Sequence, residues 1–332
     1  MVPLPMLGLM LLLALQTPPA TPSPAPAPAP QPAAQPSPAE PVIVVSYVPE
    51  RVFDSRHKRF ADFETMLANV ATADVVFVGE QHDDRNTHRL ELALLEGLLR
   101  RRGQRQIIVS LEMFERDVQQ ALNDYLENRI SEEEFLKVSR PWPRYATDYK
   151  PIVEFAKAHR WPVIASNVPR RLAGLVAKEG LAALEKLPAE ERARVAQSIE
   201  CPSDDYRKRF VASMNEHPAP GSEKMSAAER QARDERYYVA QCIKDETMAE
   251  AIVAALGPGR PLVVHYTGSF HSDFGHGTAA RVKRRMKDAR RVVVSMLPVE
   301  DLDRLEVEKS ERKRADYLVY TLKPRPSPHA TR

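Results

Sequence analysis

Polar side chains that can bind a metal ion or move a proton follow several apolar runs of this sequence. Glu80 and His82 come two residues apart after one run, Glu112 comes directly after a second, and His271 follows another. Two imidazoles with one or two carboxylates suit zinc, manganese or iron, and they leave a coordination position open for water or substrate. If a metal-bound water reacts here, Glu80 is the candidate general base.

The runs that precede these residues are typical of buried parallel strands, because they are apolar on both faces. Asn167 follows the run Pro162–Ala165, and there it either positions a ligand or caps the next helix. Ligands of parallel sheets bind beyond the carboxyl ends of the strands, so these side chains are expected in one cleft at that edge. The four runs are Val75–Val78, Ile107–Leu111, Pro162–Ala165 and Leu262–Tyr266.

Helical patterns separate the runs, and the alternation predicts an α/β fold with a mostly parallel sheet flanked by helices. Residues 42–332 form the predicted domain, which opens with the β-rich segment Val42–Tyr47. Residues from about 170 to 256 are mostly helical and are interpreted as a helical insertion or cap. The clearest predicted helices are Thr87–Arg101, Asp117–Glu127, Ser131–Val138, Lys150–Ala158 and Ala227–Leu256. Two further strands are predicted at Val292–Met296 and Tyr317–Tyr320.

The amino-terminal segment is typical of a targeting sequence followed by a spacer. Leu7–Leu15 is too short to span a bilayer and suits the apolar core of a signal peptide over residues 1–20, although no Lys or Arg precedes it. Residues 21–41 are nearly all Pro, Ala, Gln, Ser and Thr, a composition that builds no core. We therefore expect secretion across the inner membrane to the periplasm or cell envelope, without a lipid-anchor cysteine.

The overall composition excludes some classes of function. With 48 Lys+Arg against 45 Asp+Glu, the formal net charge of +3 argues against a nucleic-acid-binding protein. The basic stretch Arg281–Arg291 is interpreted as a solvated helix face. Cys201 and Cys242 are the two cysteines, and they are either unpaired small side chains or a disulfide. The sequence has no CxxC motif, which disfavours a cysteine-based zinc or redox site.

Aromatic and imidazole side chains supply further binding candidates. Trp142, Tyr145 and Tyr149 cluster just before a helix, where their rings either border a flat apolar ligand or pack a loop. A tyrosine can ligate haem iron. His88 lies either in the wall of the same pocket or on an ordinary helix surface. His276 lies in a turn between two glycines, which let the backbone approach a ligand.

Taken together and in order, these motifs resemble the ChaN-like haem-binding family of bacterial envelope proteins. That family shares a superfamily with the Tiki metalloproteases and the erythromycin esterases. The resemblance covers roughly residues 60–295. The segments that carry it are Val78–His82 with His88, Leu111–Arg116 with Gln119, Trp142 with Tyr149–Pro151, Ala165–Arg170, Gln241–Ala249 and Gly268–His271.

The resemblance implies haem binding linked to iron acquisition, with the ligand at the carboxyl-end edge of the sheet beneath the cap. Tyr149 is the expected iron ligand because it lies in a segment that resembles the family's sequence. The other expected cofactor-binding residues are His88, Trp142, Asn167 and His276. Several relatives are lipoproteins, and the missing anchor cysteine departs from them.

A second function stays open, because related branches use the same positions for metal-dependent hydrolysis. In this sequence those positions are Glu80, His82, Glu112 and His271, and the enzyme would cleave peptides or esters. A third interpretation is an envelope scaffold with a vestigial site. The expected partner is haem or another small molecule. An envelope receptor or transporter and a homodimer are further candidates.

Overall fold

The structure, a computed structural model, describes residues 47–216, 222–257 and 259–323. The chain divides into two units, Met1–Val45 and Ser46–Arg332. The first unit lies outside the described residues, with the predicted signal peptide, the spacer and most of the expected strand Val42–Tyr47. The predicted domain boundaries therefore stay predictions. Within the described part, no helix combines the length and apolar character needed to cross a membrane.

The described residues form one sheet of eight strands, which confirms the predicted α/β fold. The strands are β1 Glu50–Asp54, β2 Arg59–Ala61, β3 Val75–Glu80, β4 Ile107–Glu115, β5 Val163–Asn167, β6 Leu262–Gly268, β7 Arg291–Val299 and β8 Tyr317–Leu322. Their order is β2-β1-β8-β7-β3-β6-β4-β5. Strands β3 to β8 pair in parallel, whereas β1 pairs antiparallel with β2 and β8. The antiparallel pair forms one edge of the sheet.

Helices connect the parallel strands. They are α1 Phe63–Val70, α2 Arg85–Arg101, α3 Gln119–Leu126, α4 Glu132–Ser139, α5 Tyr145–Asp148, α6 Lys150–Ala158, α7 Arg170–Glu179, α8 Ala189–Arg192, α9 Asp205–Glu216, α10 Ala227–Leu256 and α11 Gly277–Arg285. Local sequence sets several of their boundaries. At the start of α4, the Ser131 side chain accepts from the backbone of Glu134, whose carboxylate accepts from the backbone of Ser131. This reciprocal cap satisfies backbone N–H groups that a helix start leaves unpaired.

The direction of the strand connections reverses between the neighbouring strands β3 and β6. From β3 the chain runs through α2 to β4, on the far side of β6, whereas from β6 it runs through α11 to β7, on the far side of β3. The two connections leave a crevice at the carboxyl ends of β3 and β6, where ligands of such sheets bind. Glu80 ends β3 and Gly268 ends β6, so both residues lie at this crevice.

Hydrophobic cores cover both faces of the sheet, because alternate residues of each strand point to opposite faces. In β3, Val76 and Val78 belong to a core with the leucines of α2. Val75 and Phe77 belong to a second core, which includes residues of α10 and α11. The strands are thus buried on both faces, as their continuous apolar sequence predicts.

The long segment between β5 and β6 contains only helices among its described residues. The carboxyl-terminal half of α10 packs on the sheet through Ala249, Ile252 and Leu256. Near the middle of the same helix, Ala240 and Ile243 belong to a separate core that includes residues of α7. One helix therefore both covers the sheet and carries the helical layer beside it. That this layer caps a ligand site stays a prediction.

Gly277 makes a close backbone contact in the loop that carries His271. Its φ is +52°, and a Cβ at this position would lie 2.5 Å from the carbonyl oxygen of His271. Gly275 also has a positive φ, +66°, but open space surrounds its Cβ position. We expect both alanine substitutions to lower the free energy of unfolding, each by about 1–2 kcal/mol for the left-handed backbone. Gly277→Ala must lower it further, because the backbone of His271 has to move. Urea denaturation of the two variants measures the difference, and equal losses would contradict the close contact.

Candidate functional site

Glu80 is a buried carboxylate that several groups at the crevice share. The residue is 1% exposed at the end of β3. Oε1 contacts Nδ1 of His82 and accepts a hydrogen bond of 3.0 Å from the hydroxyl of Tyr149. Oε2 lies 3.5 Å from Nδ1 of His88. One carboxylate therefore joins three of the side chains that the sequence singled out.

His82 is the member of this group that reaches solvent. Its side chain is 51% exposed, and Glu80 engages its Nδ1. Its Nε2 lies over the end of β6, since a Cβ added to Gly268 would be only 2.8 Å from that atom. The indole of Trp142 stands edge-on, with ring centroids 5.0 Å apart. Although burial lowers the pKa of His82, the carboxylates of Glu80 and Glu112 outweigh it and raise that pKa.

His88 lies behind Glu80, inside the domain. Its Nδ1 is 2.9 Å from Oε2 of Glu91, and its Nε2 is 3.2 Å from the carbonyl oxygen of His82. Asp148 lies 3.5 Å from the same Nε2. Burial lowers the pKa of His88, but the carboxylates of Glu91, Glu80 and Asp148 raise it to about 9. His88 is therefore part of a buried polar cluster, not of a helix surface.

A second network lies on the other side of the crevice. His271 sits between two carboxylates, with Nδ1 2.7 Å from Asp245 and Nε2 3.3 Å from Glu112. Glu112 also accepts hydrogen bonds from the Thr267 hydroxyl, at 2.6 Å, and the Gly268 backbone, at 2.9 Å. Burial opposes charge on both partners, yet their mutual attraction dominates. It raises the pKa of His271 to about 10 and holds the pKa of Glu112 well below its usual range.

Asp245 anchors this second network to the helical layer. It accepts hydrogen bonds from the hydroxyls of Tyr206, at 2.8 Å, and Thr278, at 2.9 Å. Arg281 lies 3.8 Å away and is 3% exposed. The interpretation of Arg281–Arg291 as a solvated helix face is therefore wrong for Arg281. Its charge balances the buried carboxylates of Asp245 and Glu246.

Asn167 and His276 stand beside the two networks. Asn167 donates to the carbonyl of Glu112 at 3.1 Å and accepts from the backbone N–H of Val168 at 2.8 Å, so its amide fixes the turn after β5. The His276 ring lies 6.0 Å from that of Tyr206, directly before α11. Burial lowers the pKa of His276. The roles of both residues in ligand binding stay predictions.

The four predicted metal ligands come together as two pairs, Glu80 with His82 and Glu112 with His271. In the described part of the chain, a different set has its ligand atoms within 4.8 Å of one another: Glu80, His88 and Glu91. Glu80 is the one residue common to this cluster and the predicted ligands, and metal binding by the four predicted residues stays a prediction.

Sequence reasoning missed Glu91 and Asp245, although a signal was present for both. Glu91 lies on the helical stripe formed by Thr87, Leu94 and Leu98, and Asp245 lies on the stripe of Tyr238, Cys242 and Ala249. A carboxylate on an apolar stripe must be buried, and a buried carboxylate needs a partner. Asp148, which was also missed, lies in the four-residue helix α5, where no periodicity marks it.

Residues 66–282 match the family described as "Haem-binding uptake, Tiki superfamily, ChaN". The chain belongs to this family. Among solved structures it is similar to the ChaN of Campylobacter jejuni, in a structure of cofacial heme binding, with 17% identity and a TM-score of 0.60. That similarity covers 81% of this chain and 96% of the other, and it confirms the fold.

Two other proteins are also similar to this chain. An erythromycin esterase in its open conformation is 11% identical, with a TM-score of 0.41 and coverage of 83% of each chain. The chloroplastic protein RETICULATA-RELATED 5 of Arabidopsis thaliana is 26% identical over 274 residues, which is 78% of this chain. The chain spans 36% of the length of that plant protein. The family match and the similarity to the Campylobacter ChaN confirm the family and the fold predicted from the motifs.

The raised pKa of His271 predicts how stability depends on pH. A histidine whose folded pKa is about 10, against an ordinary 6.5, contributes its full stabilisation below pH 6.5 and loses it as the pH rises through 10. The parent should have a higher free energy of unfolding than His271→Asn at low pH. We expect this difference to shrink by more than about 1 kcal/mol across the interval, because one pKa unit corresponds to about 1.4 kcal/mol. Urea denaturation at both ends measures it. The control is His159→Asn, because His159 is exposed. A stability difference between the parent and His271→Asn that does not change with pH would refute the raised pKa of His271.

Proposed function

We propose that the protein binds haem at the carboxyl-end edge of its sheet, with His82 as the residue that meets the iron. One observation carries this proposal: His82 is half-exposed at the crevice while a buried carboxylate holds its other ring nitrogen. Metal-binding histidines commonly have such a partner, which fixes the ring orientation and increases the basicity of the ligand. Imidazole is a common axial ligand of haem, and haem would supply the iron. Membership of a haem-binding family supports the same proposal.

Tyr149 is less suited to the iron in this conformation. Its side chain is 1% exposed, and its hydroxyl donates to Glu80. Burial and the charge of Glu80 raise the pKa of Tyr149 far above its ordinary value, which disfavours the phenolate form. Trp142 lies between the two candidates, 5.0 Å from the His82 ring and 6.0 Å from the Tyr149 ring. We propose that Trp142 offers an apolar edge to the porphyrin. Tyr149 as the ligand stays a prediction that the titration below tests.

The proposed haem position is an exposed edge of the protein. A large cavity of the described residues, of about 620 Å³, lies instead at the amino end of β5, bordered by Asn123, Lys157 and Trp161. It contains none of the crevice residues, and we give it no role in haem binding. Haem bound at an exposed edge could pass readily to another protein. An open site of this kind would therefore fit a role in haem uptake at the cell envelope. An envelope receptor and a second copy of the chain stay predicted partners.

A metal-dependent hydrolase is the second candidate, and the network of Glu112, His271 and Asp245 is the observation that favours it. These groups form an acid–base chain that reaches the crevice beside His82. A histidine binds a metal ion through an unprotonated nitrogen, however, and the pKa of His271 is raised to about 10. An ion at this position would first have to displace that proton. The geometry therefore supports haem binding at His82 more directly.

Titration of the full chain with haemin tests the proposal. We expect a shifted, saturable Soret band for the parent protein. His82→Ala removes the proposed ligand and should weaken haemin binding at least about tenfold, or replace the spectrum with that of another ligand set. Tyr149→Phe keeps the ring and removes the hydroxyl, so the spectrum should stay close to that of the parent. Absorption spectroscopy with the dissociation constant from the titration measures all three proteins.

His159→Ala is the matched control, because His159 is an exposed histidine that precedes the amino end of β5, whereas the crevice lies at the carboxyl ends of the strands. It should bind haemin like the parent. A parent protein without a saturable band would refute haem binding. A changed spectrum in Tyr149→Phe with an unchanged one in His82→Ala would move the iron to Tyr149.

A further inference from the structure

We infer that Glu80, His88 and Glu91 form a buried binding site for one divalent transition-metal ion, behind the exposed His82. The three residues come from the end of β3 and the first turns of α2. Their side chains are between 0 and 4% exposed. The site is distinct from the predicted pair of Glu112 and His271, and it does not depend on haem binding at His82.

Two buried carboxylate oxygens have no hydrogen-bond partner at this position. They are Oε2 of Glu80 and Oε1 of Glu91. Leaving a buried polar atom unsatisfied costs about 1–3 kcal/mol, and more for a charged group. Two such oxygens close together in space are therefore rare in proteins unless a ligand lies between them. A bound cation would satisfy both.

The surroundings of His88 decide which of its ring nitrogens would meet a metal ion. Its Nε2 lies 3.2 Å from the carbonyl oxygen of His82, which only accepts hydrogen bonds, so Nε2 carries the proton and donates it. Asp148, 3.5 Å away, favours the same arrangement. Nδ1 is therefore the nitrogen that points to the two glutamates, and a metal ion bound there would take the place of its proton. Metal-binding histidines typically donate their second nitrogen to a carbonyl or carboxylate in this way.

The spacing of the ligand atoms is close to that of a zinc shell. Bonds of about 2.1 Å in a tetrahedral shell place neighbouring ligand atoms about 3.4 Å apart. Here Nδ1 of His88 is 3.5 Å from Oε2 of Glu80 and 2.9 Å from Oε2 of Glu91. All three ligand atoms lie within 4.8 Å of one another. Small side-chain shifts complete the shell, and water can take the fourth position.

The charges of the cluster favour a cation. Arg144 pairs with Asp148 at 2.8 Å, and Oε1 of Glu80 contacts His82. Oε2 of Glu80 and the Glu91 carboxylate then have the His88 imidazole between them. A divalent ion would compensate both carboxylates with His88 neutral. One imidazole with two carboxylates binds zinc more tightly than manganese, by the general order of divalent-ion affinities.

Metal content of the haem-free full chain tests the inference. The protein is purified without chelator from cells grown with added zinc, desalted and measured by mass spectrometry. We expect about one zinc per chain. Glu91→Gln keeps the shape of the side chain and removes its charge, so it should lower zinc affinity at least about tenfold. Glu112→Gln is the matched control, a buried carboxylate changed in the same way in the neighbouring network, and it should keep the metal.

Zinc-edge X-ray absorption of the parent protein tests the same site without any substitution, in case Glu91→Gln does not fold. We expect a shell of one imidazole with oxygen ligands. Two imidazoles would place the ion at His82 and His271 and overturn the inference. So would loss of the metal in Glu112→Gln with retention in Glu91→Gln, or a parent that stays free of zinc, manganese and iron after growth with each. None of these results depends on haemin, so the haem proposal stands or fails separately.

Discussion

The burial of the Glu80 carboxylate at the end of β3 is the constraint around which this edge of the molecule is built. A buried carboxylate is stable only when hydrogen bonds or opposite charges compensate for the loss of water. Here the compensating groups come from different parts of the chain: His82 from the turn, His88 from α2, and Tyr149 from the junction of α5 and α6. Satisfying one charge thus fixes the turn, two helices and the orientation of the exposed imidazole.

Glu112 plays the corresponding part on the neighbouring side of the crevice, with a different outcome. It is tied to β6 through Thr267 and Gly268 and to the helical layer through His271 and Asp245. Among the described residues, both oxygens of Glu112 have polar partners, whereas Oε2 of Glu80 has no hydrogen-bond partner. The two carboxylates flank His82 and both raise its pKa. The crevice therefore combines a rigid, satisfied side with a side that still has capacity for a ligand.

Much of this arrangement could be predicted from the sequence, because strand ends in a parallel sheet converge by topology alone. The apolar runs located the six parallel strands, and the residues after them, Glu80, Glu112, Asn167 and His271, lie at one edge. The bounds of α6 and α10 also agree with their sequence patterns. What the sequence did not show is which side chains are buried behind the edge. Asp245 meets His271 and Tyr206 only in the packed fold, because these partners lie 26 and 39 residues away in sequence. Glu91 contacts His88 on its own helix, but Glu80 joins them from the end of β3.

The vibrational spectrum of the ferrous haem complex tests the central claim, that Glu80 holds His82 as the iron ligand. Resonance Raman spectroscopy reports the stretching mode of an iron–imidazole bond, and a hydrogen-bonded carboxylate strengthens that bond by making the imidazole more basic. The account predicts this mode in the parent protein and a lower frequency in Glu80→Gln, where the carboxylate has become an amide. An unchanged frequency, or a parent complex without an iron–imidazole mode, would contradict it.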